Sequence, residues 1–236
     1  MLDTPHNLNI LKGYNSDIIS LLLKNTRVVT RSEVETNILR LVEQWKSERD
    51  ESRDLYVNAS PRGKIGSEQW LYLLVRKQLP PHRLITTRVK PTDGSEVLFV
   101  DDWALSGCNA AGSMENVLYR SGLKDVKCTF IFNVTTEQAN TLLIKLINGV
   151  YSSTSLKIYS QSTVNPFNDI LVSNNITQEE INEFNTQTGT DEGSYAIISD
   201  YKIPNQFGSY PQVYKKIWTV DRQFIRDLEE KVRQHC

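Results

Sequence analysis

Val97-Leu98-Phe99-Val100-Asp101-Asp102-Trp103-Ala104-Leu105-Ser106-Gly107-Cys108-Asn109 is the stretch on which the fold turns. Val97 to Val100 form a continuous apolar run, the pattern of a strand covered on both faces, which is the condition of a parallel sheet. Two acids follow, then a turn of small residues that opens a helix read over Gly112 to Arg120. In an open parallel sheet, ligands bind at the carboxyl ends of the strands, where such a turn sits. A helix start leaves backbone N–H groups without acceptors, which suits a phosphate. Gly107 lets the backbone approach closely, and Ser106 and Asn109 add side-chain donors. Asp101 and Asp102 do not favour that phosphate; they suit sugar hydroxyls or a magnesium ion. Phosphate on one side and a diol on the other describes a ribose 5-phosphate. Two plainer readings stand beside it: a strand end with solvated acids, and a Walker B strand. No G-x-x-x-x-G-K-[ST] stretch occurs in the chain, so a P-loop ATPase would lack its phosphate cradle.

Outward from this stretch, strands and helices alternate. Leu55 to Ala59 reads as a strand, Glu68 to Gln78 as a helix stopped by Pro80-Pro81, and Leu84 to Val89 as a strand before the Pro91-Thr92-Asp93-Gly94 turn. Val126 to Val134 is a further strand, and a helix runs from Thr135 to about Asn148. Such alternation implies right-handed βαβ units and a largely parallel sheet. Towards the carboxyl end, Leu156 to Ser162 and Tyr195 to Tyr201 read as strands, and Thr177 with Glu180 caps a polar helix. Val220 to Gln234 is an amphipathic helix with Phe224, Leu228 and Val232 in line. Before the alternating part, Asn15 to Lys24 is a short apolar helix. Ser32 and Glu35 form a capping box ahead of Ile38, Leu39, Leu41, Val42 and Trp45. The mixed-charge run from Lys46 to Asp54 is a helix end and linker, so the expected organisation is a helical extension over 1–53 and an α/β domain over 54–236.

The totals narrow the function classes. At 236 residues, one domain with additions is the expectation, and 39% hydrophobic with 23% charged residues is enough for a core. The formal net charge of −1 provides no global basic field for a nucleic-acid backbone, so nucleic acid is expected only indirectly, and any bound anion needs a local site. No stretch approaches the roughly 20 apolar residues of a membrane span, and the first residues lack signal-peptide character, so a cytoplasmic location and no membrane contact are expected. Cys108, Cys128 and Cys236 fit no disulfide framework and no zinc pattern.

The stretch around Asp101 resembles the phosphoribosyl-diphosphate (PRPP) motif of type I phosphoribosyltransferases, in which a hydrophobic strand, two acids and a Ser/Thr-Gly loop follow one another. The resemblance implies a Rossmann-like, mostly parallel α/β fold with a carboxyl-terminal hood. It gives Asp101 and Asp102 the ribose hydroxyls and, directly or through those hydroxyls, a magnesium ion. Ala104, Leu105, Ser106, Gly107, Cys108 and Asn109 become the 5-phosphate loop. The family usually carries hydroxyl residues where Leu105 and Asn109 stand and often glycine at Cys108. Ser60-Pro61-Arg62-Gly63-Lys64-Ile65-Gly66-Ser67 is similar to the family's pyrophosphate loop: Arg62 and Lys64 supply charge, and Pro61 and Gly63 shape the turn; its plain alternative is a basic surface turn. Asp101, Asp102, Arg62 and Lys64 would then carry catalysis at C1 of PRPP. Lys202, Pro204 and Asn205 resemble the hood of the PRTase-CE group of bacterial conflict proteins, some of which travel with retrons; an ordinary proline turn is the alternative. That implies an effector in antiphage defence, with a protein partner or a second copy. Between Thr87 and Val97 the chain has room only for a hairpin-sized connection, too short for the family's closing loop. A catalytically inactive PRPP- or nucleotide-binding regulatory subunit is therefore the competing reading.

Overall fold

A computed structural model of the chain describes residues 13–59, 67–121, 123, 125–151, 154–188 and 194–199. In chain order the elements are α1 (Ser16–Asn25), β1 (Arg27–Val29), α2 (Arg31–Glu48), β2 (Leu55–Asn58), α3 (Ser67–Val75), β3 (His82–Leu84) and β4 (Glu96–Ala104). There follow α4 (Cys108–Ser121), β5 (Lys127–Thr135), α5 (Glu137–Val150), β6 (Ser155–Thr163), α6 (Phe167–Ser173), α7 (Gln178–Thr188) and β7 (Ile197–Ser199). The chain groups into two compact units, residues 32–164 and residues 1–31 with 165–236. This division runs along a different line from the one expected at residues 53 and 54. Almost all of α2 groups with the sheet, and α1 groups with the carboxyl-terminal elements.

The larger unit is an α/β layer structure. Its five strands are ordered β3-β2-β4-β5-β6 and every neighbouring pair is parallel. The crossover from β2 through α3 runs one way along the sheet, and those through α4 and α5 run the other way. Right-handed crossovers therefore put α3 on one face and α4 with α5 on the opposite face. On the α4/α5 face, Val97 and Phe99 of β4 and Cys128, Phe130 and Phe132 of β5 pack against Met114, Val117, Leu118, Leu143 and Ile147. Phe99 and Phe130 stack with ring centroids 4.4 Å apart. Burial pushes the Cys128 thiol up to about 12, so it is an inert part of this core.

On the other face, α2 lies over the sheet. Trp45 donates its indole N–H to Glu96 Oε1 at 2.9 Å, and Glu48 accepts from Lys157 Nζ and from the Tyr159 hydroxyl. Glu96 is wholly buried at the amino end of β4, where Thr129 donates to it at 2.7 Å and Lys127 and Arg49 lie 3.2 and 3.4 Å away. A buried carboxylate needs such company, because an unpaired charge in the interior is very costly.

Several boundaries differ from the sequence expectation for local physical reasons. β3 covers His82–Leu84 instead of Leu84 to Val89. Thr86 turns the chain back: its hydroxyl oxygen accepts the Arg88 and Val89 amides at 3.2 and 3.0 Å. β4 does not end at Val100. It runs through both acids to Ala104 because β5 pairs with it as far as Ala104↔Thr135. α4 accordingly opens at Cys108 and not at Gly112. α2 opens at Arg31, which leaves Ser32 inside its first turn and not at the cap.

In the smaller unit, Asn15 caps α1 as its Oδ1 accepts the Asp17 and Ile18 amides at 3.0 and 3.3 Å. Thr177 and Glu180 form the expected capping box, with the Thr177 amide and hydroxyl both donating to Glu180 Oε2. Those bonds, the Thr177 hydroxyl first, hold the Glu180 carboxyl below its ordinary range. Ile18, Leu22, Phe167, Leu171, Ile181 and Phe184 make the core of this unit, and β1 pairs in parallel with β7. The Val220 to Gln234 helix lies outside the described residues. Among the described residues, no helix is long and apolar enough to cross a membrane.

Candidate functional site

The sheet order places a topological switch between β2 and β4. From β2 the chain leaves towards β3 on one side, and from β4 towards β5 on the other. The crevice outside the carboxyl ends of two such strands is where open α/β sheets take ligands. At this crevice, Asp101 and Asp102 lie near the end of β4, and the turn Leu105-Ser106-Gly107 leads into α4. Ser67, the first residue of α3, donates its hydroxyl to Asp101 Oδ1, so the start of α3 is tied to the first acid.

The two acids occupy different surroundings. Successive residues of a strand point to opposite faces. Asp101 shares a side with its partner Phe132 and is half-buried, while Asp102 is 1% exposed on the α2/α3 side. Asp101 Oδ1 also accepts the Asp102 amide at 2.9 Å, and Asp102 Oδ1 accepts the Trp103 amide at 3.0 Å. The pair is therefore not arranged to chelate a single ion between its own carboxylates. Among the described residues, no group of three His, Cys, Asp or Glu side chains is placed to hold a metal.

The turn after β4 divides into residues that pack and residues that face outward. Ala104, Leu105 and Gly107 are buried, Ser106 is half-buried, and Cys108 and Asn109 are exposed. Gly107 adopts φ +77°, and a Cβ there would lie 2.8 Å from the Ala139 Cα. Only glycine satisfies both the left-handed backbone and that approach. Thr136, unremarked in the sequence reading, holds the turn from the α5 side. Its hydroxyl donates to the Leu105 carbonyl at 2.6 Å while its oxygen accepts the Ala139 amide at 3.0 Å. One threonine thus caps α5 and anchors the loop, and a Thr just before a helical apolar pattern is the signal that marks such a cap. Cys108, Asn109 and Ala110 form the first turn of α4, where amides have no helical acceptor. The Ser106 hydroxyl oxygen accepts the Cys108 amide at 3.3 Å, and a positive helix end with Asn109 exposed on it suits an anion.

Pro61, Arg62, Gly63 and Lys64, and the hood residues Lys202, Pro204 and Asn205, lie outside the described residues. The connection from β3 to β4 is the tight Thr86 turn followed by Gly94 at φ +81°, so no long closing loop intervenes there.

No family model and no curated protein matches the chain. Solved structures do resemble it. The AQ2163 protein from Aquifex aeolicus is 8% identical with a TM-score of 0.41, over 62% of this chain and 81% of that one. The orotate phosphoribosyltransferase of Mycobacterium tuberculosis H37Rv is 14% identical with a TM-score of 0.37, over 59% and 74%. The purine phosphoribosyltransferase from Pyrococcus horikoshii Ot3 is 13% identical with a TM-score of 0.34, over 57% and 91%. At these overlaps the chemistry has to come from this chain's own residues.

Proposed function

We propose that the chain binds PRPP or a related ribose phosphate, with magnesium, in the crevice at the carboxyl ends of β2 and β4. The observation that carries this reading is the coincidence of the acid pair and the glycine turn with the switch point of the sheet. Asp101 takes the ribose hydroxyls, and the Ser106-to-Asn109 turn takes the 5-phosphate on the α4 amides. Asp102, being buried, shapes the strand end instead of touching sugar. Asp101 would reach the ribose beside a magnesium ion carried in with the ligand, and that ion would supply charge neutralisation for the leaving diphosphate. As an enzyme the protein would be a pentosyl transferase in which Arg62 and Lys64 draw the pyrophosphate away from C1 while Asp101 steadies the ribose as positive charge develops there.

A second reading has its own observation. The tight Thr86 turn leaves no lid between β3 and β4, which favours a ligand-binding subunit that does not turn over alone. The defence role implied by the hood motif rests on Lys202, Pro204 and Asn205 only. Calorimetric titration of PRPP with magnesium tests the common core of both readings. Binding is expected in the wild type and about 10- to 100-fold weaker in Asp101→Asn, the usual range for a lost charged hydrogen bond. A folded wild type that binds no PRPP removes the reading. Pyrophosphate release in an acceptor screen then separates transferase from binder.

A further inference from the structure

The chain's formal charge of −1 conceals a local surplus. Between Glu68 and Asp93 there is no acidic residue, while Arg76, Lys77, Arg83, Arg88 and Lys90 are basic. The fold gathers this stretch on one edge of the sheet. β3 is the edge strand, and its neighbour β2 carries no acid from Leu55 to Asn58. The Tyr72 hydroxyl lies 3.1 Å from His82 Nε2, which ties α3 to β3. Arg76 follows one turn after Tyr72, its amide donating to the Tyr72 carbonyl at 2.8 Å. β3 then leads into the Thr86 turn, where the Thr86 hydroxyl oxygen accepts the Arg88 amide at 3.2 Å. The basic residues thus run from the end of α3 at the amino edge, along β3, to the turn at the carboxyl edge.

Arg76, Lys77, Arg83 and Arg88 are all exposed, and none of the four makes an ion pair among the described residues. Lys90 has an interaction of its own. Arg83 is held in place without being neutralised: it donates to the Tyr56 hydroxyl at 3.3 Å, and its guanidinium lies 5.8 Å from the Tyr56 ring centre. Cations on an edge strand discourage edge-to-edge pairing. Arg83 alone serves that purpose, whereas the other three lie off the strand. Like charges grouped without counter-charges raise the local potential and draw an anion. Spread over three successive elements, they suit a chain of phosphates better than a single one. The surrounding surface narrows the choice further. Leu84, 38% exposed, is the one exposed large apolar side chain of the stretch, while the cores of protein–protein interfaces are apolar and poor in charge. Nucleic-acid interfaces are polar and strongly positive, and phosphate contacts supply much of their affinity.

We propose that this edge binds the phosphodiester backbone of a nucleic acid without reading its sequence. Arg76, Arg83 and Arg88 take phosphate oxygens through paired guanidinium donors, and Lys77 adds a point charge. Thr87, exposed on the turn beside Arg88, adds a hydroxyl donor. No aromatic side chain of the stretch is exposed, so the bases have nothing to stack on and contribute little. The surface uses none of the residues assigned to the ribose phosphate and stands apart from that reading.

The test is fluorescence anisotropy of the full chain with a labelled oligothymidylate of about 20 nucleotides, longer than a typical binding site, and with a duplex of the same length. Affinity is followed between about 50 and 200 mM salt. Four phosphate contacts give an expected slope of log K against log salt of about −3 on the single strand, at about −0.7 per contact. Arg83→Gln/Arg88→Gln is expected to bind roughly 10- to 30-fold more weakly, with the slope reduced to about −1.5. Arg83→Lys/Arg88→Lys keeps the charges and is expected to keep the slope, which separates charge from any effect on folding. Lys24→Gln/Lys145→Gln removes the same charge from other exposed positions and is expected to leave binding within about twofold. Binding of either nucleic acid with these slopes supports the proposal. It is overturned by a wild type that binds neither at the lowest salt, or by a slope that Arg83→Gln/Arg88→Gln leaves unchanged. Equal weakening by the Lys24/Lys145 variant, or displacement of the oligonucleotide by polyglutamate of equal charge at equal concentration, overturns it as well.

Discussion

Single residues carry the sharpest constraints in this protein, and Gly107 carries the tightest of them. Its φ of +77° and the 2.8 Å approach to the Ala139 Cα are two separate demands on one position. In Gly107→Ala the left-handed backbone costs roughly 1–2 kcal/mol, and the forced contact with backbone adds about 1–3 kcal/mol of overpacking. The expected outcome is a stability loss of about 2–5 kcal/mol in urea denaturation, together with weakened PRPP binding because the turn proposed to hold the phosphate moves. A variant as stable as wild type would show that the loop relaxes away from α5. The adjacent acids teach a related lesson. They are chemically the same and adjacent in sequence, yet one is half-buried beside Ser67 and the other is buried on the opposite side of the sheet.

At the scale of elements, the loop after β4 is held by the start of a helix that is distant in sequence. Thr136 caps α5 and donates to Leu105 O, so the turn after β4 and the α5 amino end form one hydrogen-bonded corner. Thr136→Val keeps the shape and removes both bonds. The cap contributes about 1 kcal/mol and the Leu105 bond about 1 kcal/mol, so a loss of about 2 kcal/mol is expected, with Thr136→Ser restoring most of it. Equal stability of the valine variant would mean that neither bond matters in solution.

For the whole molecule, burial is deepest where the ladders are longest. β4 and β5 are nine residues each, lie centrally and pair along almost their full length, while β3 is a three-residue edge strand. Native-state hydrogen exchange follows the local cost of opening. Amides of Leu98 to Val100 and Phe130 to Phe132 are therefore expected to exchange slowest, and those of β3 among the fastest of the sheet. Early exchange in β4 would contradict the central place given to it here.

The sequence by itself determined the layer type and the placing of an acid pair and a glycine turn together at the end of a central strand. Apolar runs of strand length, alternating with helical periods and ending in acids and a glycine turn, leave few arrangements other than a parallel sheet with those polar residues at its carboxyl edge, because such runs must be covered on both faces. It also marked the Thr177–Glu180 box, which is a local hydrogen-bond pattern. Only the tertiary structure decided where β4 ends, since its last residues are strand by virtue of pairing with β5 and not by propensity. The separate fates of Asp101 and Asp102, the anchoring by Thr136 and the buried Glu96 group were equally invisible in sequence. Each joins residues that are far apart along the chain, and which of them meet is set by strand register and helix placement, quantities that no local pattern encodes.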